Sequence, residues 1–146
     1  MQSLRTFLEH HDFTKIKMKL TKTNHFELSA SINGTTGRFI LDTGASNTCI
    51  GLDKVRHFAL TPTESDIKAA GAGASAMDTF VADGNTITIG AWTKRRQKIV
   101  IFDLVHVNQA LVHENSAPVD GIIGADLLKK GKAIIDYGKK VLYLKR

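Results

Sequence analysis

The sequence predicts an all-β, single-domain, barrel-like protein with one or two short helices. Three observations lead there. Phe26-Glu27-Leu28-Ser29-Ala30-Ser31-Ile32 alternates apolar and polar residues with a period of two, as a strand with one buried face does. Asn33-Gly34 then supplies a hairpin turn, and further strand-like runs follow, punctuated by Asp83-Gly84, Gly90-Ala91 and Tyr137-Gly138. A chain of 146 residues with ordinary apolar content makes one sizeable core the default. Residues 1–25 read as an N-terminal lead holding a strand, and residues 26–146 as the domain proper.

Taken in order, residues 1–12 read as a short helical or loose lead and residues 13–21 as a strand. Residues 26–32 and 37–41 pair across Asn33-Gly34, and the second of these strands ends at Asp42. Residues 51–58 have the apolar spacing of a short helix, with Asp53 as its cap and Pro62 beyond its end. Residues 68–77 are small and glycine-rich, lying between stretches able to pair as strands. Residues 79–82, 85–89 and 97–102 read as strands, with turns at Asp83-Gly84 and Gly90-Ala91. Residues 105–112 read as helical and 113–118 as a loop. Residues 124–130 form a helix stopped by Gly131, and residues 132–136 and 139–144 close the chain as a hairpin.

Composition excludes several functions. The formal charge of +6 raises nucleic acid as a partner, but the basic residues are dispersed. Lys15, Lys17 and Lys19 alternate with Ile16, Met18 and Leu20, while Lys94, Arg95, Arg96 and Lys98 surround a turn, so solvated faces explain them and nucleic acid is not expected. No apolar stretch approaches the roughly 20 residues of a membrane span, so no membrane association is expected. Residues 1–12 carry Arg5, Glu9 and two histidines where a secretory leader would be apolar. The single cysteine, Cys49, lies in an apolar strand pattern and reads as a buried, reduced thiol, which suits a cytoplasmic setting. His106 and His113 lack supporting ligand spacing, and His57 reads as a surface or half-buried helix residue, so neither a metal nor a cofactor is expected. The glycine-rich stretch lacks the Gly-Lys-Ser/Thr of a nucleotide loop.

The chemistry-bearing stretch is Arg38-Phe39-Ile40-Leu41-Asp42-Thr43-Gly44-Ala45-Ser46-Asn47-Thr48-Cys49-Ile50. A carboxylate placed directly after Phe39-Ile40-Leu41 enters a setting where desolvation is costly unless hydrogen bonds offset it. Thr43 can bond the local backbone, and Gly44 lets the chain turn tightly towards the acid. Read alone, Asp-Thr-Gly is equally an ordinary turn capped by Asp42. Further on, Val119-Asp120-Gly121-Ile122-Ile123-Gly124-Ala125-Asp126-Leu127-Leu128 places an apolar pair before a glycine and a short helix.

Together, and in this order, the two motifs resemble those of the retropepsin-like aspartic proteases, from about Phe26 to Leu144. The resemblance implies a closed β-barrel whose site is completed by homodimerisation. Asp42 corresponds to the catalytic acid, Thr43 to the residue that hydrogen-bonds across the dimer, and Gly44 to the adjoining turn. Ile40, Ala45, Cys49 and Ile122 correspond to positions near the substrate pockets, implying apolar side chains flanking the cut. Gly71, Ala72, Gly73 and Ala74 correspond approximately to the tip of a flap that folds over bound peptide. The reaction needs two carboxylates, one to activate water and one to polarise the scissile carbonyl. The chain holds one Asp-Thr-Gly, and Asp120, Asp126 and Asp136 read as turn, helix-start and strand-end residues. Asp42 is therefore expected to meet Asp42 of a second copy across a twofold axis.

Two departures accompany the resemblance. Ser46 and Ala125 stand where many retroviral members carry an acid and an arginine, and both partners of that ion pair are absent together. The segment after Ile50 and the connection over residues 103–118 are longer than the compact viral pattern. The expected function is an aspartic endopeptidase acting on peptides or proteins. The alternative is a catalytically silent dimerisation or peptide-binding module of the same fold.

Overall fold

The computed structural model describes residues 1–64 and 79–146. The glycine-rich stretch expected to be a flap, with Gly71, Ala72, Gly73 and Ala74, lies outside the described residues. Among the described residues the strands are β1 Phe13–Lys17, β2 Lys19–Leu20, β3 Phe26–Ile32, β4 Thr35–Leu41, β5 Cys49–Gly51, β6 Thr63–Glu64, β7 Phe80–Ile89, β8 Trp92–Phe102, β9 Gly121–Ile123, β10 Ile134–Asp136 and β11 Val141–Lys145. The α-helices are α1 Leu4–His10, α2 Val105–His113 and α3 Ala125–Lys130.

Six strands close into a barrel in the order β3-β4-β9-β5-β8-β7 and back to β3, as the alternating patterns predict. The β3–β4 hairpin runs from Phe26 opposite Leu41 to Ile32 opposite Thr35. Asn33 and Gly34 both take positive φ, 52° and 85°, the turn geometry that follows the twist of the strands. Asn33 also donates from Nδ2 to the Phe58 carbonyl and to Asn85 Oδ1, tying the turn to the neighbouring strand β7 and to the segment after β5. Inside lie Ile32, Phe39, Leu41, Ile50, Ile87, Ile89, Ile99, Ile101 and Ile123. Each such side chain contributes about 1.5–3 kcal/mol by leaving water.

A second sheet, β1-β11-β10, lies beside the barrel, with Phe13 opposite Lys145 and Ile134 opposite Tyr143. Leu8 of α1 is buried with Val141 and Tyr143, and Ile16 and Met18 join the barrel core.

Four local expectations give way to tertiary packing. Residues 51–58 form only a 3-10 turn, Leu52–Lys54, because Phe58 must lie fully buried over Gly37, where a Cβ would meet its ring at 2.5 Å. The strand expected over 13–21 breaks at Met18, whose N–H donates to the Lys140 carbonyl at 2.9 Å, and Leu20 is exposed. Asp83-Gly84 is a bulge within one long strand, β7, with Gly84 at φ +75°. Lys94, Arg95, Arg96 and Lys98, expected around a turn, lie in β8, where Arg96 takes φ +58° near that bulge.

Candidate active site

β4 carries the chain outward to Asp42. Because side chains alternate along a strand, Phe39 and Leu41 enter the barrel while Ile40 lies on the outer face. The Asp42 N–H extends the pairing by donating to the Ile123 carbonyl at 2.9 Å. The half-buried carboxylate accepts the Gly44 N–H on Oδ1 at 2.9 Å, and the Ala45 N–H closes onto the Asp42 carbonyl at 3.1 Å. A Cβ on Gly44 would come within 3.3 Å of that carboxylate oxygen. Thr43 and Gly44 are exposed.

The loop is held from the other side by the segment after β9, a strand inserted between β4 and β5. The Ala125 N–H donates to the Ala45 carbonyl at 2.7 Å. Buried Thr48 donates from both N–H and Oγ1 to Asp126 Oδ1, at 2.9 and 2.8 Å, and its Oγ1 accepts the Gly124 N–H at 3.0 Å. Asp126 also accepts the Leu127 N–H at 2.9 Å, which places it at a helix start as expected. Glycine is required where these backbones cross. A Cβ on Gly124 would lie 2.7 Å from the Asn47 backbone and 2.9 Å from the Ala45 carbonyl, while one on Gly121 would run into the Cys49 carbonyl.

The apolar residues assigned to substrate pockets fall in one row. Ile40 pairs with Ile122, Ile122 with Cys49, and Cys49 with Val100, across β4, β9, β5 and β8. Directly paired residues share a face, and here it is the outer one that also leads to Asp42. The row is covered. Ile40 is buried under Leu111 and Val119, while Cys49 and Ile122 are buried with Val100, Phe102 and Leu104. Ala45, Val81 and Val107 are the partly open members of this surface. Burial pushes the Cys49 thiol up to about 12, only partly offset by a backbone hydrogen bond with Ile122, and the charges of Asp126 and Asp42 push it further the same way.

Sequence reasoning did not single out Val107, Leu111 or Val119. Val107 and Leu111 are four apart, the spacing of one helix face, and that was the available signal.

The other carboxylates have separate duties. Asp120 Oδ2 accepts the Arg38 N–H at 2.9 Å, and its Oδ1 lies 3.6 Å from Lys54 Nζ; Asp136 accepts the Lys139 N–H at 3.0 Å. Among the described residues no side chain hydrogen-bonds Asp42, and no cluster of three or more His, Cys, Asp or Glu could hold a metal ion. His57 is exposed. No helix among the described residues is long and apolar enough to cross a membrane. Beside the loop, Thr43, Ala125, Leu128, Ala133 and Ile135 line an open groove of about 390 Å³, together with Lys129 and Lys132.

Comparison with known proteins returned one family model, described as aspartyl protease, matching residues 28–127. Among solved structures, a retropepsin-like aspartic protease from Rickettsia conorii superposes with a TM-score of 0.60 at 20% identity, over 90% of this chain and 91% of that one. The retroviral protease-like domain of Ddi1 from Leishmania major gives 0.57 at 15% identity, over 86% and 90%. The EIAV protease, solved with the inhibitor HBY-793, gives 0.55 at 19% identity, over 75% and 90%. No curated protein sequence matches the chain.

Proposed function

The chain belongs to the retropepsin-like aspartic protease family, and from that premise we propose that it is an aspartic endopeptidase whose site is shared by two copies. The observation that carries this reading is the setting of Asp42: a single half-buried carboxylate on a loop braced by Gly44, Ile123 and Ala125, with Asp120, Asp126 and Asp136 bound elsewhere.

Asp42 of each copy would face the other across a twofold axis. The ionised carboxylate takes a proton from water as its oxygen attacks the scissile carbonyl carbon, and the protonated one gives its proton to the carbonyl oxygen. Collapse of the tetrahedral intermediate breaks the C–N bond, and the leaving amine takes up a proton from the dyad. Thr43, exposed beside Asp42, is assigned to the contact between copies, and Gly44 to the turn that orients the acid. The second copy would cover the groove lined by Thr43, Ala125, Leu128, Ala133 and Ile135, next to β10, whose far edge is unpaired among the described strands.

The test is turnover of a mixed peptide library by the wild type and by Asp42→Asn. Asparagine keeps the shape and the Gly44 hydrogen bond but cannot act as base, so kcat should fall to background while the circular dichroism spectrum is unchanged. Full activity in purified Asp42→Asn would remove Asp42 from the mechanism. Peptide binding without turnover in the wild type would assign the fold to a silent peptide-binding module.

A further inference from the structure

The outer-face row Ile40–Ile122–Cys49–Val100 is covered by two apolar clusters, and one side chain belongs to both. Val107 of α2 packs on the cluster of Ile40, Leu111 and Val119, and also on that of Cys49, Val100, Phe102, Leu104 and Ile122. It is half-buried, and Ala45, the residue immediately after Asp42-Thr43-Gly44, packs against the same second cluster. Val107 is thus the partly open side chain common to both clusters over the row, whose first member, Ile40 of β4, precedes Asp42 by two residues.

Its position is fixed by polar contacts on both sides. Asp103 Oδ1 accepts the Val105 N–H at 2.9 Å and starts α2. Asn108 clamps the returning chain, donating from Nδ2 to the Val119 carbonyl at 3.1 Å and accepting the Val119 N–H on Oδ1 at 2.7 Å. A helix held in this way presents a wall of defined depth. It also fills space over Ile40 that would otherwise remain open to a bound side chain.

Resting on the protease reading above, we infer that α2 forms one wall of the subsite beside Asp42, and that Val107 is a specificity-determining residue that limits the subsite to small and medium aliphatic side chains. The side chains that pack over the row, Val107, Leu111 and Val119, are apolar, so charged side chains are rejected by the cost of desolvating them there. Bulky aromatics are rejected by volume, since Ile40, Cys49 and Ile122 lie buried behind Val107 and offer no further depth.

The experiment uses peptides that differ only in the residue flanking the cleaved bond, with alanine, leucine or phenylalanine there. Wild type, Val107→Ala and Val107→Phe are compared by kcat/KM, with each fold checked by circular dichroism. Val107→Ala should shift the phenylalanine-to-alanine ratio upward by about tenfold or more, and Val107→Phe should shift it downward, because a few methylenes in an apolar pocket discriminate on that scale. A merely structural role would change all three peptides alike. Identical ratios in wild type and both variants, with the wild type active, overturn the inference and leave the protease reading intact. Anisotropy titration of the same labelled peptides against Asp42→Asn, with and without each Val107 substitution, reads the pocket apart from chemistry. Reordered affinities there support the inference even without turnover. If peptides are neither bound nor cleaved, the protease reading falls and the inference falls with it.

Discussion

Cys49 is buried in the row behind the proposed subsite, and its thiol has a consequence for stability that can be signed. Burial holds its pKa near 12 in the folded chain against 9.0 ordinarily. Below pH 9 the thiol is protonated whether or not the chain is folded, so ionisation contributes nothing. Between pH 9 and 12 the unfolded chain sheds the proton and the folded chain does not. Stability is therefore lost as pH rises through that window, reaching about 4 kcal/mol at its upper end. Cys49→Ala should be less stable than wild type at pH 8 through lost packing, with the gap narrowing as pH passes 9. Urea midpoints of both proteins from pH 8 to 10.5 measure this, and a constant gap would contradict it. The buried thiol was legible in the sequence from the apolar run around it. Its place in a row with Ile40 and Ile122 was not, because strand register depends on which distant strand inserts beside it.

At the scale of elements, the crossing of the Asp42 loop with the turn into α3 is a tight junction of backbone against backbone. Gly124→Ala places a methyl group against the Asn47 backbone and the Ala45 carbonyl, neither of which can swing aside. It should cost about 1–3 kcal/mol and depress turnover by shifting the loop. Gly138→Ala is the control: its Cβ would make only an ordinary 3.5 Å contact with Asp136 Oδ1, and it should be close to neutral. Equal denaturation midpoints for the two variants would show that the junction yields. The β3–β4 hairpin, α3 and the closing β10–β11 hairpin could all be read from the sequence, since period, turn residues and caps are local. The 3-10 turn at Leu52–Lys54 and the bulge at Gly84 could not, because Phe58 and the β7–β8 register are set by residues far along the chain. α2 could be read as a helix, but its place over Ile40 could not.

At the scale of the whole molecule, the proposed site draws one Asp42 from each of two copies, so on that reading activity per chain should fall as the protein is diluted below the dissociation constant of the pair. Ile135→Glu, in the groove beside Thr43, should produce a folded monomer with little activity. Sedimentation together with initial rates measures both; unchanged activity per chain from material that sediments as monomers would sink the shared site. The insertion of β9 between β4 and β5 also imposes an order in time. Asp42 leaves the ribosome before its partners: its N–H waits for the Ile123 carbonyl and its loop for the Ala125 N–H, about eighty residues later in synthesis. A nascent chain therefore carries its acid without the setting that orients it until most of the barrel has been made. On the protease reading proposed above, the position of β9 would act as a delay, leaving the acid without its oriented setting while the chain's own unfolded segments are the nearest peptides within reach.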